Sequence, residues 1–116
     1  MRNNKDNFVY VGHIHDCIEK ISDYTSKHNY KDFISNEWDQ AAIIRYFEII
    51  GEATTKIDND FKKQHSEIEW IDMSDFRNFL IHDYMDIDVK VVWDTMTNDI
   101  PKLEEHIENL LKQQPI

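Results

Sequence analysis

Cysteine, glycine and proline are nearly missing from this sequence, and each shortage excludes something. Cys17 stands alone, so no disulfide can close within the chain, which suits a reducing compartment. Two glycines and two prolines are too few for the tight turns of an all-β fold, so helices are favoured. No apolar run approaches the ~20 residues of a membrane span. The segment from Met1 to Asn7 is polar and has no apolar signal-peptide core, so a cytoplasmic protein is expected. Positive charge is scarce too: 13 Lys and Arg against 23 Asp and Glu give a formal net charge of -10. That balance argues against a surface that coats nucleic acid, because phosphate contacts need Lys and Arg.

What is present points to a compact helical chain. The 116 residues fit one domain spanning 1–116, and 41% hydrophobic against 31% charged residues is the balance of a folded core, not a disordered tail. No repeat, low-complexity tract or linker interrupts it. Val11, Ile14, Ile18, Ile21 and Thr25 recur at helical spacing and predict an amphipathic helix over roughly 7–27. Polar residues 29–36 read as a loop. Trp38, Ala41, Ala42, Ile44, Phe47, Ile50, Ala53 and Ile57 form a broad stripe on a second helix over 37–57. Gly51 lies inside it, where glycine costs about 1 kcal/mol relative to alanine; a closely packed backbone is one reason for it. A short helical turn is expected around 61–65. Asp72 is the expected cap of a third helix reaching His82, with Ile71 stapled to Phe76. Asp88, between Ile87 and Val92, opens the last helix, where Pro101 should cause a kink or a restart capped by Asn98 or Asp99. The fold expected is all-α: an antiparallel bundle of four main helices plus one short helix.

The chemistry-bearing stretch is R-N-x-x-I-H-D-Y, from Arg77 to Tyr84. Asn78 and His82 are i,i+4 and share a helix face. Arg77 and His82 are five apart, about 140° around an ideal helix. Both line one groove only if its walls curve round the helix or a second subunit closes it. A guanidinium that is always charged can stabilise the extra negative charge of a pentacoordinate phosphorane. An imidazole can take a proton from a ribose 2′-OH or give one to the leaving oxygen. Asn78 can orient that imidazole or hold a phosphate oxygen. No metal or other cofactor is required. The plainer alternative is that Arg77 pairs with Asp75 or Asp83 while His82 sits favourably at a helix C-terminus.

The match extends beyond those residues. Ile43 to Ala53 with its I-G-E-A, Glu67 to Trp70, Arg77-Asn78 through Ile81-His82-Asp83-Tyr84, and Trp93 with Ile100 to Leu103 resemble the HepT-like proteins of the HEPN superfamily, in order and spacing. The resemblance implies a metal-independent endoribonuclease serving as the toxin of a toxin–antitoxin pair. Arg77 and His82 match its catalytic motif; Asn78, Asp83 and Glu52 are supporting candidates. Tyr84 matches the tyrosine to which an MNT-type nucleotidyltransferase antitoxin adds AMP. Such toxins look like homodimers, with two motif copies facing a shared cleft. The runner-up is a non-catalytic HEPN binding module that partners a nucleotidyltransferase.

Charge is the point of tension. Between residues 67 and 88 there are seven acids (Glu67, Glu69, Asp72, Asp75, Asp83, Asp86, Asp88) and one base, Arg77. RNA is then held by shape, or by basic help from Arg45, Lys90 or the N-terminal helix. The acids also suit a basic face on an antitoxin. The last helix and the Trp93 face are candidate dimer surfaces. His13 and His15, at i and i+2, lie about 200° apart and cannot chelate one metal together. His15-Asp16 and His82-Asp83 resemble HD-type phosphohydrolase pairs but lack clear further ligands. Trp38, Trp70, Trp93 and Cys17 read as core.

Overall fold

The computed structural model describes residues 4–83 and 85–114. These residues form helices joined by short turns, with no strand among them: α1 (Asn4–Lys27), α2 (Tyr30–Ile34), α3 (Glu37–Thr55), α4 (Asn59–Gln64), α5 (Trp70–His82), α6 (Val89–Asp94), a π-helical turn (Thr95–Asp99) and α7 (Ile100–Leu111). No helix among them is long and apolar enough to cross a membrane. The fold is all-α as expected, with α1, α3, α5 and the α6–α7 run as its main helices. Two short helices flank α3, not one.

α1 forms because its apolar residues repeat every three to four positions. Val11, Ile14, Ile18 and Ile21 are fully buried along one stripe. That stripe meets α3 on one side and α7 on the other, while α3 carries α5 on its far side. The packing order is therefore α5, α3, α1, α7. Cys17 is buried on α1. Burial pushes its thiol up, Asp16 adds to the rise and Arg45 opposes it. A protonated, inaccessible thiol is a poor nucleophile. Native protein should leave Cys17 unlabelled by a disulfide reagent that labels the urea-unfolded chain fully. Rapid labelling of the native form would contradict this placement.

Asn7 is a buried polar residue of α1, and its Oδ1 accepts a hydrogen bond from the Asp58 backbone N–H at 3.1 Å. This bond ties α1 to the start of α4. Asn7→Ala removes the acceptor and strands a part-buried donor, at a cost of about 1–3 kcal/mol. Urea denaturation should show that loss; an unchanged midpoint would show the bond to be dispensable.

Several elements depart from the sequence reading. Residues 30–34 form α2 where a loop was expected. The signal was there: Asn29 and Asp32 make a reciprocal capping box, with bonds of 2.9 and 3.0 Å. α5 starts at Trp70, so Asp72 lies in its first turn and is not its cap; Glu69 takes the cap position without a side-chain cap bond. Trp70 is buried and its indole N–H donates to the His65 carbonyl at 3.1 Å, which pulls the helix start forward. Ile71 is 74% exposed, so it forms no staple with Phe76. Asp88 does cap α6, accepting from Lys90 N at 2.9 Å. Pro101 does stand in the first turn of a restarted helix, α7, with Asp99 in the cap position as expected, but without a side-chain cap bond. The chain runs through a π-helical turn into α7, and neither Asn98 nor Asp99 makes a side-chain cap bond. A π turn accommodates the missing proline N–H by widening the helix locally.

Trp70 belongs to the core, and Trp93 is half-buried against Phe33 and Tyr30, with ring centroids 5.7 and 6.0 Å away. Trp38 does not belong there: it is 88% exposed in the first turn of α3. Ala41 and Ala42 are exposed beside it, so the α3 stripe is buried only from Ile43 onward.

Candidate active site

The site is built on the contact between α3 and α5. Phe47 and Phe76 meet edge-on, with centroids 5.0 Å apart. One turn further along α3 stands Gly51, buried and facing α5. A Cβ there would collide with the Cβ of Arg77 and lie 2.9 Å from both Arg77 Cγ and the Met73 carbonyl oxygen. Only glycine lets the two helices come this close, so the cost of Gly51 within a helix has a packing reason.

Arg77 is held by that approach. Its stem lies over Gly51, its Nε is buried with no hydrogen-bond partner, and its Nη1 donates to Asn78 Oδ1 at 3.2 Å. Among the described residues Arg77 makes no ion pair, so the alternative pairing with Asp75 or Asp83 is not adopted. A buried unpartnered donor costs about 1–3 kcal/mol. Such expense concentrates where a side chain is placed for function.

His82 is the last residue of α5 and is exposed, as is Asn78 one turn before it. The two share a face. Asn78 thus stands angularly between Arg77, about 100° away, and His82, about 40° away on an ideal helix. Arg77 and His82 do not meet within one chain: about 140° and about 7.5 Å of helix rise separate their attachment points. Asp83 is the C-cap residue, its backbone N–H donating to the Phe79 carbonyl at 3.0 Å. Glu52 is exposed on α3 and makes no ion pair among the described residues, so it does not orient Arg77 here. Tyr84 lies outside the described residues.

Two of the bases expected to help are engaged. Arg45 pairs with Glu48 at 3.4 Å, and Lys90 with Asp94 at 3.1 Å. The acids are better placed than their sequence density suggested. Glu67, Glu69 and Asp72 face a groove between α5 and α7, on the flank of α5 away from Arg77, and Asp75 stands on its lip. His15-Asp16 and His82-Asp83 do not fall into a common cluster of possible metal ligands among the described residues. His15, Asp16 and Glu19 do cluster, with ligand atoms within 4.8 Å, but all three stand on one exposed helix face and His15 Nδ1 already pairs with Glu19 at 3.0 Å.

Residues 14–110 match the family described as ribonuclease HepT-like. A Thermococcus cleftensis protein described as "Probable ribonuclease HepT" is 43% identical over 111 residues, covering 96% of this chain and 98% of its own length. A Methanocaldococcus jannaschii protein described as a "putative RNase" is 37% identical over 98 residues, 82% of this chain and 90% of its own. A second from that organism, described as a "Gamma-glutamylcyclotransferase and putative RNase", is 35% identical over 94% of this chain but only 49% of its own length. No solved structure gives a significant match.

Proposed function

Because the chain belongs to the ribonuclease HepT-like family, we propose that it is a metal-independent endoribonuclease whose site is the Arg77–Asn78–His82 edge of α5. The observation that carries the reading is the placement of Arg77: its stem is held over Gly51, its guanidinium makes no ion pair among the described residues, and its Nη1 donates to Asn78 Oδ1. A cation with no ion pair among the described residues, in a chain with net charge -10, is available for a phosphate. In the reaction the ribose 2′-oxygen attacks phosphorus and the bond to the 5′-oxygen breaks. The 2′-OH proton goes to one imidazole, and the leaving 5′-oxygen takes a proton from another. The products are a 2′,3′-cyclic phosphate and a 5′-hydroxyl. Arg77 stabilises the charge that accumulates on the phosphorane oxygens.

One chain offers one His82, so the proposal includes a homodimer in which two motif copies share a cleft. The interface we assign differs from the last helix and Trp93 face: Trp93 is occupied by Phe33 and Tyr30. The exposed apolar residues include Trp38 in the first turn of α3, Ile81 in the last turn of α5 and Met85 just beyond it, and these are the ones we assign to the interface. The biological setting proposed is a cytoplasmic toxin neutralised by an MNT-type nucleotidyltransferase that adds AMP to Tyr84. Bulk and negative phosphate two residues from His82 would block the cleft and repel RNA.

The test is cleavage of a single-site RNA by purified protein in EDTA. Wild type should cut it, and a 2′-deoxy substitution at the cut position should make it resistant. Cleavage that needs magnesium or ignores the 2′-deoxy substitution would overturn the mechanism.

A further inference from the structure

α5 and α7 leave a gap where a closed bundle would have a contact. α5 packs broadly on α3, and α7 on α1, but the two make at most marginal contact with each other. Between them runs an open groove of about 590 Å³, floored by Phe47 and Ile50 of α3. Its apolar walls are Met73, Phe76 and Phe79 from α5 and Leu103 from α7. Phe79 is exposed, and Met73, Phe76 and Leu103 are half-buried against the core, so this wall keeps part of its apolar surface in contact with water. The rim has one dominant sign: Glu67, Glu69, Asp72, Asp75 and Asp99 against Lys102. None of these carboxylates forms an ion pair among the described residues with Lys, Arg or a chain end; Glu67 has only His65, at 4.0 Å. Asp72 hydrogen-bonds Glu69 and its charge adds to the effect, pushing the Glu69 carboxyl up from its ordinary range.

We infer that this groove docks a cationic amphipathic helix presented by a protein partner. The shape asks for a helix, because an element lying between α5 and α7 would close the bundle in the way helices ordinarily pack, about 8–10 Å from each neighbour. The apolar walls ask for residues at i, i+3, i+4 and i+7. The uncompensated acids ask for lysine or arginine flanking that stripe. RNA is excluded by the same charge. A divalent cation is not indicated either, since no three of these carboxylates converge within ligand distance. The groove lies across α5 from Arg77, and the inference does not depend on the ribonuclease reading.

The probe is an 18-residue peptide of leucine, alanine and lysine, with leucine on one helical face and lysine on both flanks. A scrambled peptide of the same composition and a version with glutamate for lysine are the controls. Titration at 150 mM salt should show the amphipathic lysine peptide binding at least tenfold tighter than either control. Glu69→Lys with Asp72→Lys, both on exposed positions, should weaken it at least tenfold and admit the glutamate peptide. Phe79→Ser should weaken it as well. Glu105→Lys with Glu108→Lys, acids of α7 outside the groove, should leave it unchanged. RNA cleavage by the Glu69/Asp72 variant should match wild type, which separates this surface from the nuclease site. Equal binding of the scrambled peptide, or indifference to the rim reversal, would overturn the inference. So would a change in the protein's own oligomeric mass on rim reversal, since a second copy would then occupy the groove.

Discussion

Arg77→Ala and His82→Ala should each lower RNA cleavage at least a hundredfold while leaving the helical fold in place. Losing a positioned acid or base removes about 10²–10⁴ in rate. Losing a fixed charge that stabilises a developing oxyanion removes about 10²–10³. The two variants differ in what else they disturb. His82 is exposed at the end of α5, so its removal should change stability by no more than about 1 kcal/mol, the scale of a histidine at a helix C-terminus. Arg77→Ala removes the stem that lies over Gly51, but it also removes a buried donor without a partner. These effects oppose each other, and circular dichroism should show the variant folded. Arg77→Lys is the sharper probe. It keeps the charge but loses the planar fork that reaches Asn78, so cleavage should fall at least tenfold. Lysine working as well as arginine would mean that charge alone, not the geometry set by Asn78, matters.

Gly51→Ala should be the most damaging single-methyl change in the chain. The added carbon meets the Arg77 Cβ, Arg77 Cγ and the Met73 carbonyl, and two of these are fixed to the backbone of α5. No flexible side-chain end can move aside. α3 and α5 must separate, and overpacking of this kind typically costs about 1–3 kcal/mol. That outweighs the roughly 1 kcal/mol that alanine gains over glycine inside a helix. Arg77 rides on the same contact, so cleavage should fall even under conditions where the variant remains folded. Gly12→Ala is the control: nothing lies within 4 Å of a Cβ built there. Thermal unfolding should rank Gly51→Ala well below wild type and Gly12→Ala level with it or above. Equal stability of the two variants would show that the α3–α5 contact is looser than described.

The main helices were legible because their apolar residues repeat at the helical period, as in Val11, Ile14, Ile18 and Ile21. The α6 start was legible because Asp88 offers a side-chain acceptor where the helix needs one. The start of α5 was misread for a physical reason. Trp70 finds a buried place and a hydrogen bond to the His65 carbonyl, so tertiary packing overrides the capping preference of Asp72. α2 was missed because five residues carry too little periodicity, although Asn29 and Asp32 marked its start. Trp38 was misread because a tryptophan at helical spacing says nothing about whether another element will cover it. The R-N-x-x-I-H-D-Y stretch drew attention to Arg77 and His82, but not to why Arg77 is held as it is. That depends on Gly51, 26 positions earlier by number, and on an orphaned Nε that no sequence pattern records. Of the acids that seemed to surround the motif, Glu67, Glu69, Asp72 and Asp75 line the groove between α5 and α7.

The most direct test of the central claim is a single side-by-side assay. Wild-type protein, shown by intact mass to carry no AMP, is incubated with total RNA in EDTA beside Arg77→Ala and His82→Ala. The account predicts fragments ending in 2′,3′-cyclic phosphate from the wild type and intact RNA from both variants. Intact RNA with the unmodified wild type, or equal cleavage by all three, would contradict it.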